Sequence, residues 1–85
     1  MNDPVEVRRH LRATLAMRPR NEFTETQLFE ATRRLCPGGE LDVAEFRTAV
    51  EWNLAHDYIT FRMDEDLDKE VWKLTKAGKA KEGVK

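Results

Sequence analysis

The amino-acid sequence predicts a single α+β domain in which three helices form the core and a C-terminal β-hairpin packs against them. Two observations predict this fold class. Apolar residues recur with a helical period up to His56, and with the period of two that is typical of a strand after it. In addition, each of the three helices begins with residues that favour capping of a first turn.

The first helix is predicted from Pro4 to about Met17. Asp3 can cap its first turn, and proline suits the first helical position because it has no N–H to leave unpaired. Pro19 then opposes any continuation of the helix. The period assigns four residues to the core and places three arginines largely outside it: Val7, Leu11, Thr14 and Leu15 face inward, and Arg8, Arg9 and Arg12 face outward.

Residues 20–23 are too short a segment to classify, and the second helix is predicted to begin at Thr24. Thr24 and Gln27 have the spacing of a capping box, and Phe23 and Leu28 have that of a hydrophobic staple. The run 36–39, Cys-Pro-Gly-Gly, is expected to end the helix and turn the chain. The predicted inner face consists of Leu28, Thr32 and Leu35, with Phe29 and Ala31 beside it.

The third helix is predicted within residues 41–58 and is central to the domain. Asp42 and Glu45 form a second capping box, and Leu41 and Phe46 a second staple. At about 100° per residue, the helix separates into two faces. The predicted inner face is Val43, Phe46, Ala49, Val50, Asn53 and Leu54, and the outer face is Ala44, Glu45, Thr48, Glu51, Trp52 and Ala55.

A hairpin with a charged tip is predicted after the third helix. Ile59, Phe61 and Met63 alternate with polar or aromatic neighbours, and Trp72 and Leu74 do so beyond the charged residues 64–69. A lone hairpin is unstable, so the apolar face of these strands is expected to pack on the helices. A last short helix, residues 76 to about 82, is weakened by a glycine, so the core is expected over about 4–78 and the tail 79–85 is expected to fray.

Composition excludes several classes of function. Charged residues make up 36% and hydrophobic residues 40% of the 85, as in a globular domain. There is no apolar run long enough for a membrane helix or a signal peptide, so a cytoplasmic protein without membrane contact is expected. The single Cys36 and two histidines give no metal-ligand spacing, and there is no catalytic pair or phosphate-binding loop. We therefore expect no enzyme activity, cofactor or metal.

Two segments resemble parts of winged helix-turn-helix domains. Residues 49–52, Ala-Val-Glu-Trp, leading into residues 57–59, Asp-Tyr-Ile, resemble the end of the third helix and the entry to the wing. Residues 72–78, Trp-Lys-Leu-Thr-Lys-Ala-Gly, resemble the second wing strand and its exit in bacterial regulators of the MarR and PadR type. The resemblance covers residues 24–78. It implies a winged-helix fold and a role in DNA binding or transcription control.

In those families the third helix enters the major groove, and the wing contacts the DNA backbone or minor groove. The resemblance thus implies nucleic-acid contacts from the third helix and the hairpin, and the arginines of the first two helices could add phosphate contacts unless they are simply solvated. The candidate nucleic-acid residues are Arg8, Arg9, Arg12, Arg33, Arg34, Arg47, Thr48, Arg62 and Lys73.

The charge pattern favours a different function, a protein-interaction module. Residues 36–57 carry a net charge of -4, and the hairpin tip contains Asp64, Glu65, Asp66 and Asp68. Both elements would repel phosphate. The alternative partner-binding residues are Glu45, Thr48, Glu51 and Trp52. Trp52 either covers the core near Trp72 or stands exposed as an anchor for a partner. The fold favours DNA binding and the charge favours a protein partner.

Overall fold

A computed structural model describes residues 1–84 of the chain. Within them the chain forms helix α1 (Pro4–Met17), strand β1 (Phe23–Thr24), α2 (Glu25–Leu35), a 3-10 turn (Pro37–Gly39), α3 (Val43–Ala55), β2 (Ile59–Asp64), β3 (Lys69–Leu74) and α4 (Lys76–Lys81). The three strands form one antiparallel sheet in the order β1-β3-β2. The α+β class is therefore confirmed.

The first three helices begin at the positions that their capping residues predict. The Asp3 side chain accepts a hydrogen bond from the Val5 N–H at the start of α1. Both predicted capping boxes are formed, with Thr24 as the cap of α2 and Asp42 as the cap of α3. Because each cap satisfies backbone N–H groups within its own first turn, these boundaries depend on local sequence.

A single hydrophobic core connects the first three helices to the sheet. Phe46 of α3 meets Phe29 of α2 edge to face, with ring centroids 5.2 Å apart. The buried members of the core are Val7, Leu11, Leu15, Leu28, Phe46, Ala49, Ile59, Trp72 and Leu74.

The segment before α2, too short to classify from sequence, supplies the third strand. Phe23 pairs with Trp72 and Thr24 with Val71, so β3 lies between β1 and β2. A strand of two residues has too little pattern to be recognised, and it exists here because β3 provides hydrogen-bonding partners distant in sequence.

Four assignments to helix faces were wrong. Arg12 is buried, with 5% of its surface exposed, whereas Leu35, Val43 and Leu54 are exposed. The buried part of α3 is narrower than predicted, since only Phe46, Ala49 and Asn53 are enclosed. The apolar residues at its edge therefore remain at the surface.

The predicted faces of the hairpin also need correction. Phe61 and Met63 are 46% and 55% exposed, because β2 is the edge strand. Val71, predicted to face away from the core, is buried between its pairing partners Thr24 and Arg62 in the central strand.

Residues 79–84, which the sequence predicts to fray, are placed against the rest of the domain. Helix α4 extends to Lys81, the Glu82 carboxylate accepts a hydrogen bond from Arg12, and Val84 packs against the core. The final position of that prediction, residue 85, lies outside the described residues.

Candidate interaction surface

Helix α3 separates the predicted partner-binding residues into two groups. Thr48 and Glu51 are exposed on its outward side. Glu45 lies on the flank nearer α1, where its carboxylate accepts hydrogen bonds from the backbone N–H of Asn2 at 2.7 Å and from the Asn2 side chain at 3.2 Å. These bonds lower the pKa of Glu45. Glu45 is thus engaged in joining the start of the chain to α3.

Trp52 lies on the same flank as Glu45 and is half-buried. The His56 ring stacks on the Trp52 ring, with centroids 3.7 Å apart. The guanidinium of Arg8, which is on α1, lies 4.5 Å from the centroid of the Trp52 ring. Trp72 instead lines a cleft with Val50, which is on the opposite flank of α3. Trp52 therefore neither packs on Trp72 nor stands bare. It belongs to a stacked cluster between α1 and α3.

Arg12, a predicted nucleic-acid residue, forms part of the interior. Its Nη1 donates to Asn53 Oδ1 at 3.0 Å, and its Nε donates to Glu82 Oε2 at 3.1 Å. Arg12 cannot bind phosphate without breaking these bonds, of which the one to Asn53 is buried. One sequence signal could have indicated this arrangement: Asn53 was predicted to face inward, and a buried amide needs a hydrogen-bonding partner.

Most of the other candidate cations lie beside carboxylates. The closest pair is Arg62–Glu22, in which Arg62 donates two hydrogen bonds and lowers the pKa of the Glu22 carboxyl. Exposed pairs are weak and can exchange, but they reduce the positive potential of the surface. The pairs and their shortest N···O distances are Arg9–Glu6 at 3.5 Å, Arg33–Glu30 at 2.8 Å, Arg47–Glu25 at 3.8 Å and Arg62–Glu22 at 2.6 Å.

Three predicted nucleic-acid cations make no ion pair within residues 1–84. Arg8 is half-buried against Trp52, whereas Arg34 and Lys73 are exposed. The three lie on different elements, α1, α2 and β3.

A cleft of about 160 Å³ lies between α3 and the hairpin, and we call it the α3–hairpin cleft. Arg47 contributes the single positive charge to it and is itself 3.8 Å from Glu25. The indole N–H of Trp72 is buried and has no hydrogen-bonding partner in the described part of the chain. The residues lining the cleft are Glu25, Arg47, Val50, Glu51, Glu70 and Trp72. With three carboxylates against one guanidinium, the cleft favours a cation.

Exposed apolar side chains lie close to this cleft on the hairpin. Phe61 contacts Trp72, with ring centroids 4.9 Å apart, and Met63 follows it on the same face of β2. Neither residue was among the predicted site residues. Their alternation with polar neighbours is visible in the sequence, where it predicts a face that packs on the core.

Within residues 1–84 no group of three His, Cys, Asp or Glu side chains is arranged to hold a metal ion. In the same residues no helix combines the length and the apolar character needed to cross a membrane. Comparisons of this chain with protein-family models, with curated proteins and with solved structures find no match.

Proposed function

We propose that this chain is a winged-helix module that binds a basic segment of a protein partner at the α3–hairpin cleft. The element order and the β1-β3-β2 sheet are compatible with a winged-helix layout. In that layout the outward side of α3 and the hairpin form the contact surface. The fold supplies the position of the proposed site, and the side chains at that position supply its chemistry.

The observation that carries this proposal is the acidic character of the contact surface. Glu51 and Glu70 line the cleft without an ion pair in the described residues, and further acids occupy the hairpin tip. Phosphates of DNA would meet like charge there, whereas a lysine or arginine would meet opposite charge.

The size of the cleft limits what enters it. A volume of about 160 Å³ accommodates one long side chain rather than a folded element. A guanidinium suits the site best, because it can donate paired hydrogen bonds to carboxylates such as Glu51 and Glu70. The exposed Phe61 and Met63 nearby could contact apolar residues that flank the arginine.

The test uses NMR to compare the binding of two labelled peptides of equal length. One peptide is rich in arginine and the other is rich in glutamate. We expect the arginine peptide alone to bind and to shift the indole N–H signal of Trp72. Glu51→Gln with Glu70→Gln should weaken binding by at least about 10-fold, since one charged hydrogen bond contributes about 1.5–3 kcal/mol and about 1.4 kcal/mol is already a factor of ten.

A matched control changes the same charge elsewhere. Glu6→Gln with Glu40→Gln removes two exposed carboxylates that do not line the cleft. If this control weakens binding as much as the cleft variant, attraction is nonspecific and the proposal fails. The proposal also fails if the arginine peptide leaves the Trp72 signal unmoved.

DNA binding is the second candidate, favoured by the same element order and by the exposure of Thr48 on the outward side of α3. Titration of labelled duplex DNA at low salt tests it. We expect no binding beyond weak, salt-sensitive association. Tight, sequence-selective binding that is lost in Thr48→Ala and Arg47→Ala would establish DNA binding instead.

A further inference from the structure

The outer edge of β2 lacks a neighbouring strand. In the sheet order β1-β3-β2, strand β3 is central, and β2 pairs with β3 alone among the described residues. An unpaired edge presents backbone N–H and C=O groups that can add a further strand.

The hydrogen-bond pattern identifies the groups that point outward. Thr75 N–H donates to the Tyr58 carbonyl at 3.0 Å, in line with the β2–β3 register. Antiparallel pairs alternate between bonded and non-bonded, so Thr60 and Arg62 also bond toward β3. The N–H and C=O groups of Phe61 and Met63 therefore point away from the sheet.

Several of the usual protections of an edge strand are missing from β2, although Arg62 and Asp64 are charged. Its sequence, Ile-Thr-Phe-Arg-Met-Asp, contains no proline or lysine. Its register is continuous from Ile59↔Leu74 to Asp64↔Lys69, so there is no bulge. Phe61 and Met63, whose backbone groups point outward, also expose about half of their surface. The edge can therefore offer both hydrogen bonds and apolar contact.

We propose that a second copy of this chain pairs with the outer edge of β2, antiparallel and about a two-fold axis at Phe61. The two three-stranded sheets would join into one of six strands. In this register Phe61 faces Phe61 of the other copy, Met63 faces Ile59, and Arg62 faces Thr60. The apolar face of one strand continues into that of the other, and the contact is self-complementary as two-fold symmetry requires.

Neighbouring symmetric registers are less favourable. An axis at Arg62 would place two arginines opposite each other, which is repulsive. An axis at Thr60 would remove Met63 from the paired strand, because Asp57 would then lie opposite it. The charge of the whole chain is only -1, so long-range repulsion between copies is weak.

This contact does not rest on the proposed function, although the Phe61 and Met63 side chains adjoin both sites. It is formed by the backbone edge of β2, whereas the partner site is the cleft between α3 and the inner face of the hairpin. The dimer can therefore fail while peptide binding succeeds, and the reverse is also true. Pairing over residues 59–63 buries less than the roughly 1,600 Å² of a standard interface, so we expect dissociation on dilution.

The first test is sedimentation equilibrium of the full chain from about 10 µM to about 1 mM, a range suited to weak interfaces. We expect the average mass to rise toward twice that of the monomer. Met63→Lys should abolish this rise because it places a charge in the paired apolar face. Leu67→Lys is the matched control: Leu67 is 53% exposed, close to the 55% of Met63, but it lies outside β2 and should leave the rise unchanged.

The second test is amide hydrogen exchange at both ends of that concentration range. The Phe61 and Met63 amides should become protected only at high concentration. The Thr60 and Arg62 amides, which bond to β3, should be protected at both and serve as internal controls. A constant mass, a dimer that survives Met63→Lys, or a Phe61 amide that exchanges equally fast at both concentrations would overturn the proposal.

Discussion

Gly78 illustrates how a residue that is unfavourable in a helix can be required by a neighbouring element. It lies buried within α4. A Cβ at this position would overlap the Tyr58 carbonyl oxygen and lie 2.9 Å from the carbonyl carbon. Both of these are backbone atoms and cannot move aside as a flexible side chain would. Helix α4 thus packs with its backbone directly against the residue that precedes β2.

Gly78→Ala tests this contact, because two arguments predict opposite changes in the free energy of unfolding. Helix propensity alone predicts that it rises by about 1 kcal/mol. The close approach to Tyr58 predicts a net loss of about 1–3 kcal/mol, as for overpacking in a core. The measurement is the urea midpoint, with Ala80→Gly at an exposed position of the same helix as a propensity control. A higher midpoint for Gly78→Ala would contradict the packing.

At the scale of elements, Glu45 connects the N-terminal segment to α3. Its carboxylate accepts from the Asp42 N–H within the capping box and from both N–H donors of Asn2. The Asn2 backbone bond is the largest cause of the lowered pKa of Glu45. The Arg62 hydrogen bond likewise lowers the pKa of Glu22 beside β1. Both carboxylates are therefore more stabilising when ionised.

This arrangement predicts a loss of stability in acid. A carboxyl whose folded pKa lies below the ordinary value of 4.5 stabilises the fold fully above pH 4.5, and that contribution disappears as the pH falls through the folded pKa. Glu45→Gln should therefore flatten the dependence of the melting temperature on pH below about 4.5. Glu65→Gln, on the exposed hairpin tip, should leave that dependence as in the parent. If the melting temperature of Glu45→Gln falls with pH as steeply as that of the parent, this role of Glu45 is contradicted.

At the scale of the whole molecule, the helices and the sheet depend on one core. Phe46 is 2% exposed and meets residues of α2 across the interior. A domain this small is only marginally stable, so the loss of one central side chain affects every element together.

Phe46→Ala should lower the free energy of unfolding by about 3–5 kcal/mol, the usual cost of truncating a buried phenylalanine. Far-UV circular dichroism and tryptophan fluorescence should report the same denaturation midpoint, because unfolding is expected to be two-state. Phe61→Ala is the control: it removes the same ring from an exposed strand edge and should cost less. Similar losses for both variants, or separate midpoints for the two probes, would show that the core is not a single unit.

The positions of the first three helices and of the hairpin could be predicted from local sequence patterns. The bounds of α1 agree with the prediction, and the caps of α2 and α3 were identified as Thr24 and Asp42. These features could be predicted because a capping bond or a staple joins residues within about five positions of each other. The acidic character of the outward side of α3 and of the hairpin tip could also be predicted, since it depends only on which residues occupy these segments.

Which side chains of those elements are buried depends on the tertiary structure. Arg12 turns inward because it bonds to Glu82, which is 70 positions away in the sequence. Strand β1 forms because β3 lies beside it. Trp52 is covered by Arg8 of another helix rather than by the hairpin. Local periodicity shows that a helix has an apolar side, but the width of the buried sector depends on which elements meet it in space. Contacts between residues distant in sequence leave no pattern in a single chain, and the candidate site depends on such contacts.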